Sequence, residues 1–152
     1  MRKKFKTRYS PELGKAKQDL YRFAYLRIQR AIKIGAHIEA IALIESLMSD
    51  RLESAISSLT GKQVNASTLG RLIKEFDGLA EIDSDLKVAL YEWNTSRAFV
   101  VHQMVKLTND EISSWTERIA FARLTAKEGL VLLAELRRLT DKTIRNLKKT
   151  KI

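Results

Sequence analysis

The sequence predicts an all-α fold, an antiparallel helical bundle of four long helices plus one short helix. The chain has 152 residues but only one proline and six glycines, fewer turn-forming residues than a sandwich of many short strands requires. Apolar residues recur at three- and four-residue spacing over long stretches, which is the period of amphipathic helices. With 45% hydrophobic and 30% charged residues, the composition favours a single folded domain over residues 1–152.

The first two helices have clear start and stop signals. The first is predicted to begin at Ser10-Pro11-Glu12, where a capping hydroxyl precedes a proline and an acid. It runs to about Ile34, and Gly35 marks a break before a second helix from Ala36 to Leu59 that ends at Thr60-Gly61. The expected apolar faces are Leu20, Phe23, Ala24, Arg27, Ala31 and Ile34 on the first helix, and Ile41, Ile44, Met48, Leu52, Ala55 and Leu59 on the second.

Three further helices are predicted. A short one covers about Ser67 to Phe76 and is closed by Asp77-Gly78. Ser84 is expected to cap a long fourth helix, which Thr108-Asn109-Asp110 breaks. Ser113 or Ser114 then caps a final helix that starts at Trp115. This helix tolerates an internal Gly129 at a cost in stability of about 1 kcal/mol. The in-phase apolar residues of the fourth helix are Leu86, Ala89, Leu90, Trp93, Val100, Met104 and Leu107.

Positive charge is concentrated at the two ends of the chain. An N-terminal arm (residues 1–9) holds five basic residues and no acid, and the basic C-terminal end (residues 140–152) continues a run that begins at Arg137. The whole chain has a net charge of +10, whereas residues 9–136 sum to only −1. Such ends can neutralise the phosphates of RNA, or they can be solvated segments that aid solubility.

Several classes of site are excluded or disfavoured. The absence of cysteine excludes disulfides and thiolate metal sites. The chain has no glycine-rich phosphate loop, nucleophile elbow or His-Glu-x-x-His pair, so neither a metal nor a cofactor is expected. The longest apolar stretch, residues 38–47, contains two glutamates and is shorter than the ~20 residues of a membrane span. With no secretory signal either, the predicted compartment is the cytoplasm.

Arg97 and His102 provide the main functional signal. Four residues separate them in Arg97-Ala-Phe-Val-Val-His102, on the predicted fourth helix. Arginine followed after four to six residues by histidine is the signature of the HEPN family (higher eukaryotes and prokaryotes nucleotide-binding domains), which this chain resembles over roughly residues 15–150. The resemblance includes the run of residues 34–47 on the second helix and Leu90-Tyr-Glu-Trp93 before the motif.

The resemblance implies a metal-independent endoribonuclease, a toxin or phage-defence component whose active site is shared by two protomers of a homodimer. Its substrate would be RNA, and a nucleotidyltransferase-type antitoxin would be a fitting partner. Histidine can transfer protons near neutral pH, and arginine has a planar fork that matches phosphate oxygens. Arg97 and His102 are thus the expected catalytic residues, with Glu45 as the acid that orients the arginine, and the product would be a 2′,3′-cyclic phosphate.

The residues also allow a non-catalytic interpretation. On an ideal helix two residues five apart lie about 140° apart around the axis, so Arg97 falls on the apolar stripe and His102 to its side. Arg97 could therefore be an internal arginine paired with Glu45, and His102 a half-exposed surface residue. The chain would then be a HEPN-like binding or assembly module that contacts nucleic acid or a partner protein.

Three other side chains are given structural roles by their position on the helices. His37 lies on the apolar stripe of the second helix, which predicts a core or interface histidine. Trp93 and Trp115 are predicted to anchor the core or a dimer interface rather than to stack on bases.

Overall fold

The computed structural model describes residues 11–64, 67–106 and 114–151. Within these ranges the regular structure is entirely helical, as predicted. Four helices have 20 residues or more, and α3 has 12. Over the same ranges none of the helices combines the length and apolar character needed to cross a membrane. The five helices are α1 (Pro11–Lys33), α2 (His37–Thr60), α3 (Leu69–Ala80), α4 (Ser84–Gln103) and α5 (Trp115–Thr150).

The helix α2 lies at the centre of the bundle, in contact with each of the other four helices. Its buried residues spread over about half of the helix circumference, as expected for a helix with neighbours on several sides. Five residues of the predicted apolar face are buried, and Leu59 is partly buried. The buried residues of α2 are His37, Ala40, Ile41, Ile44, Leu47, Met48, Leu52, Ala55 and Ile56.

Three predicted helix boundaries are confirmed. Gly35 lies between α1 and α2 with a φ of 83°, and Gly61 caps the end of α2 with a φ of 69°. These positive φ angles belong to the left-handed region that glycine enters without a steric penalty. Ser114 caps the start of α5, where its hydroxyl accepts a hydrogen bond of 3.1 Å from the backbone N–H of Glu117.

The predicted apolar face of α1 is largely wrong. Leu20, Phe23 and Ile34 have 68%, 60% and 63% of their surface exposed, whereas the core takes Ile28 together with Ala31. The physical reason is that α1 has large apolar residues on two sides, and residue spacing alone does not identify which side meets α2. Three- and four-residue spacing predicted the helix but not the direction of its packing.

The end of α3 also differs from the prediction. Asp77-Gly78 does not close the helix, which continues to Ala80. The Asp77 side chain instead stabilises the next connection. Its Oδ1 accepts from the backbone N–H of Ile82 at 2.9 Å, and its Oδ2 lies 3.2 Å from Nζ of Lys87. The Ile82 hydrogen bond, with the Lys87 ammonium, lowers the pKa of Asp77.

Asp83 caps α4 in place of the predicted Ser84, which is the first residue inside the helix. An oxygen of the Asp83 carboxylate accepts from the backbone N–H of Asp85 at 3.2 Å, and an acid suits this position because helix N-termini are electropositive. Leu107 and the predicted break at residues 108–110 lie outside the described residues. Leu90, Trp93, Val100 and Met104 are buried, as their phase predicts.

Trp93 packs directly against Gly129 of α5. The indole Nε1 donates a hydrogen bond of 2.8 Å to the backbone carbonyl of Thr125. A Cβ atom at position 129 would lie 2.6 Å from that Nε1 and 2.7 Å from the neighbouring ring carbons. Glycine at this position therefore lets α4 and α5 approach closely, which explains why α5 contains a residue that weakens helices.

We expect Gly129→Ala to destabilise the fold. The extra methyl displaces the Trp93 ring, and overpacking of this kind costs about 1–3 kcal/mol. At this chain length the melting temperature should fall by roughly 2–4 °C per kcal/mol, measured by circular dichroism. Gly78→Ala is the matched control, because nothing lies within 4 Å of a Cβ atom there. The control should be neutral or stabilising, and equal losses in the two variants would contradict the packing argument.

Candidate functional site

The Arg97 side chain is held between α4 and α2. Its Nη1 lies 3.2 Å from Oε1 of Glu45, and its Nη2 donates a hydrogen bond of 2.6 Å to Oδ1 of Asn94. The side chains of Arg97 and Glu45 have 15% and 30% of their surface exposed. The structure thus brings together two of the three predicted site residues within one chain, in the pairing that the non-catalytic interpretation also requires.

Asn94 was missed by sequence reasoning. It lies three residues before Arg97. Side chains at this spacing are neighbours on the surface of a helix, so the spacing was the signal that could have identified Asn94. With Glu45 it fixes the two terminal nitrogens of the guanidinium. The Arg97 Nε is buried and has no hydrogen-bond partner among the described residues, and a buried donor in that state is unfavourable. Arg97 is therefore a constrained side chain, not a freely moving surface arginine.

His102 lies in the last turn of α4 and is exposed. His102 lies on a different face of α4 from Arg97, whose side chain contacts Glu45. This agrees with a separation of about 140° around an ideal helix. Large apolar side chains near it are also uncovered: Val101 has 39% and Val105 has 83% of its surface exposed. The end of α4 therefore presents a histidine beside apolar residues, on a face that does not carry Arg97.

Arg118 of α5 holds the backbone that follows His102. Its Nη1 lies 2.8 Å from each of three carbonyl oxygens, those of Gln103, Met104 and Lys106. Carbonyls at the C-terminal end of a helix lack partners within the helix and attract cations. No feature of the sequence indicated this role, because it depends on how α4 and α5 pack.

His37 and the tryptophans can now be placed. His37 has only 6% of its surface exposed, as predicted, but its Nδ1 has no hydrogen-bond partner among the described residues. Burial, with the nearby charges of Arg123 and Lys127, lowers the pKa of His37. Trp93 belongs to the core, whereas Trp115 has 59% of its surface exposed and is not a core residue.

Of the two basic ends, the structure describes only the C-terminal one. The N-terminal arm lies outside the described residues. The C-terminal end continues α5 to Thr150, and the basic residues from 142 to 149 are exposed on it. In the part of the chain that the structure describes, no group of three or more His, Asp or Glu residues is placed to hold a metal ion.

We expect the Arg97–Glu45 pair to be energetically coupled. In a double-mutant cycle with Arg97→Gln and Glu45→Gln, the loss of stability in the double variant should be smaller than the sum of the single losses by about 0.5–1 kcal/mol. Urea denaturation supplies the four stabilities. The exposed Arg27–Glu39 pair, at 2.7 Å, is the matched control and should couple by only ~0.2–0.5 kcal/mol. No coupling between positions 97 and 45 would mean that Glu45 does not hold the arginine.

Folding stability should depend on pH through His37. Its pKa is lower in the folded chain than the unfolded value of 6.5, so the unfolded chain binds more protons as the pH falls below about 6.5. The contribution of neutral His37 to the free energy of unfolding is therefore fully present above about pH 6.5 and is lost as the pH falls further. Denaturation of the wild type and of His37→Gln between about pH 5 and 8 should show a shallower decline in the variant, and parallel profiles would exclude this role.

Comparison of the chain with known protein families, with curated proteins and with solved structures found no match. The resemblance to HEPN proteins therefore rests on the sequence alone: the Arg97–His102 spacing, the run of residues 34–47 and Leu90-Tyr-Glu-Trp93 before the motif.

Proposed function

We propose that this chain is a HEPN-type, metal-independent endoribonuclease with a composite active site at a homodimer interface. It would act in the cytoplasm as a toxin or phage-defence component. The observation that carries the proposal is the Arg97–His102 spacing on α4, the helix on which the motif is expected, with His102 exposed in its last turn. We also propose that the four long helices pack antiparallel to one another, as the sequence predicts.

A second copy would supply what one chain lacks. Within one chain Arg97 and His102 do not meet on one face of α4. Val101 and Val105 leave apolar surface uncovered beside His102, and a two-fold contact there would bury that surface. Such a contact would also bring the two copies of His102 near each other, with an arginine from each chain at the edge of the cleft.

The chemistry follows from the residue types. A neutral His102 takes the proton of a ribose 2′-hydroxyl as its oxygen forms a bond to phosphorus. The protonated His102 of the partner subunit gives a proton to the 5′-oxygen as the P–O bond breaks, which leaves a 2′,3′-cyclic phosphate and a 5′-hydroxyl. Arg97 stabilises the negative charge on the phosphorus centre, and Glu45 keeps its fork oriented. No step needs a metal or a cofactor.

Charge supports RNA as the substrate. The chain has a net charge of +10, most of it from its two ends, and exposed basic residues line the last turns of α5. Contacts of lysine and arginine with phosphates make binding strongly dependent on salt and independent of sequence. These residues would bring RNA to the protein, whereas Arg97 and His102 would act on one phosphodiester.

The pairing of Arg97 with Glu45 also favours a second function, a non-catalytic HEPN-like module. If the guanidinium serves only to join α4 to α2, its 15% exposure gives RNA little access to it. The protein would then bind nucleic acid through its basic ends, or assemble with a partner protein such as a nucleotidyltransferase-type antitoxin.

Cleavage of RNA in EDTA by the purified full chain tests the first proposal. We expect wild-type protein to leave 2′,3′-cyclic ends, and His102→Ala to lower the rate by about 100-fold or more, the size of a general acid–base contribution. Arg97→Ala should also be inactive while remaining folded. Arg71→Ala, a change at an exposed arginine of α3, is the matched control and should cleave normally.

The other outcomes distinguish the alternatives. Wild-type protein that retards RNA with a steep salt dependence, but leaves it intact, would support the binding module. A protein that neither cuts nor binds RNA at low salt would support an assembly role alone. Sedimentation measures the oligomeric state, and a monomer that still cleaves RNA would overturn the composite site.

A further inference from the structure

A cleft of about 580 Å³ lies between the start of α2 and the first half of α5. On the α5 side its lining runs from Thr116 to Lys127, a span of about 17 Å along the helix at a rise of about 1.5 Å per residue. No described residue of α4 lines the cleft, so it is separate from Arg97 and His102. The described lining combines basic and aliphatic side chains with one hydroxyl and contains no acid.

The helix α2 begins at this cleft without a side-chain cap. Its N-cap residue is Ala36, which has no side chain that can accept a hydrogen bond. The backbone N–H groups of His37, Ile38 and Glu39 have no acceptor among the described residues. Such first-turn groups carry the partial positive charge of the helix N-terminus. The start of α2 therefore favours a negatively charged acceptor.

The side chain of His37 is a second and independent indication of a ligand. It lines the cleft, more than nine-tenths of its surface is buried, and its Nδ1 has no hydrogen-bond partner among the described residues. Buried polar side chains are normally hydrogen-bonded, because an unpaired polar atom in the interior is unfavourable. An anion in the cleft would offset this cost by stabilising the protonated imidazole.

Two cations of α5 give the cleft positive charge that no described acid neutralises. Arg123 and Lys127 lie one helical turn apart, both are exposed, and neither forms an ion pair with a described residue. Burial, and then the charges of these two residues, lower the pKa of His37, so both act on the same group. Glu39, the acid in the first turn of α2, is engaged by Arg27 of α1 at 2.7 Å.

Aliphatic side chains accompany these charges. Ile119, Ala120 and Leu124 line the cleft on α5, and Leu124 has 52% of its surface exposed. Exposed aliphatic surface beside fixed charge is typical of protein–protein contacts. A nucleic acid gains little from it, since phosphates require cations and bases require rings on which to stack. The described lining contains no aromatic residue, which favours a peptide as the ligand.

We propose that this cleft binds an acidic, apolar segment of a partner protein. Carboxylates of the segment meet Arg123, Lys127 and the N-terminus of α2, and its aliphatic side chains pack against Ile119 and Leu124. The length of the cleft fits about three turns of a helix or about five residues of extended chain. The inference goes beyond the proposed function and does not depend on it, because none of these residues belongs to the cleavage motif.

Fluorescence anisotropy with a labelled peptide that repeats Glu-Glu-Leu-Leu three times tests the site on the full chain. We expect binding at low salt, and Arg123→Gln should raise the Kd by roughly ten-fold, the loss expected for a charge-assisted hydrogen bond. Arg138→Gln is the matched control, because it removes the same charge from an exposed position of α5 outside the cleft. Equal weakening in the two variants, or no binding up to about 1 mM peptide, would overturn the proposal.

The two parts of the peptide are tested separately. Glutamine in place of its glutamates should abolish binding, and serine in place of its leucines should weaken it. On the protein, Leu124→Ser should also weaken binding, whereas Val131→Ser, at an exposed position of α5 that does not line this cleft, should not. Unchanged affinity in Leu124→Ser would overturn a peptide site, because charge alone would then account for binding.

A competing ligand class has its own outcome. Phosphates of RNA are also attracted by Arg123 and Lys127. A short RNA that displaces the peptide, and that itself binds more weakly to Arg123→Gln than to Arg138→Gln, would assign the cleft to nucleic acid and overturn the proposal.

Nuclear magnetic resonance locates the carboxylates of the peptide. Titration should shift the amide signals of His37, Ile38 and Glu39, and the pKa of His37 should rise in the complex, because a nearby anion favours the imidazolium. Unchanged amide signals and an unchanged pKa would overturn their placement at the start of α2.

Peptide binding and RNA cleavage can fail independently. His102→Ala should abolish cleavage and leave the affinity for the peptide unchanged. A wild-type protein that cuts RNA but binds no peptide refutes this inference alone. One that binds the peptide but cuts no RNA refutes the ribonuclease alone.

Discussion

The structure depends on the central position of α2. This helix contacts all four others, and its buried side is covered with aliphatic residues. Two of its charged side chains, Glu45 and Arg51, reach neighbouring helices. Glu45 emerges towards α4, where it meets Arg97, and Arg51 emerges towards α1 and α5, where it meets Asp141. Both ion pairs follow from this position, because a charged group on a central helix must find a partner or a route to solvent.

Features that depend on a few neighbouring residues were predictable from the sequence. Positive φ at Gly35 and Gly61 and the cap at Ser114 follow from local backbone chemistry. The buried face of α2 was also predictable, since a central helix shows its core residues in phase. The apolar face of α1 was predicted wrongly because contact with a helix distant in the sequence decides it. The end of α3 was predicted wrongly because the Asp77 side chain bonds to Ile82 and Lys87 after the helix instead of closing it.

The same distinction applies to the candidate site. The phase of Arg97 on an apolar stripe was sufficient to identify Glu45 as its partner, and the structure contains that contact. The place of His102 away from that stripe followed from helix geometry alone. Arg118 and the Trp93–Gly129 contact gave no sequence signal. Their roles arise from the alignment of α4 with α5, which residue spacing within either helix does not encode.

The three carbonyl contacts of Arg118 have a consequence for the evolution and engineering of this chain. They join the C-terminal end of α4 and the residues just after it directly to the first turn of α5, so the two helices are held together by contacts of their own. Added length in the connection between them changes chain entropy only slowly. A targeting peptide, an epitope or a whole domain could thus be inserted at this point, beside His102, while the bundle keeps its packing.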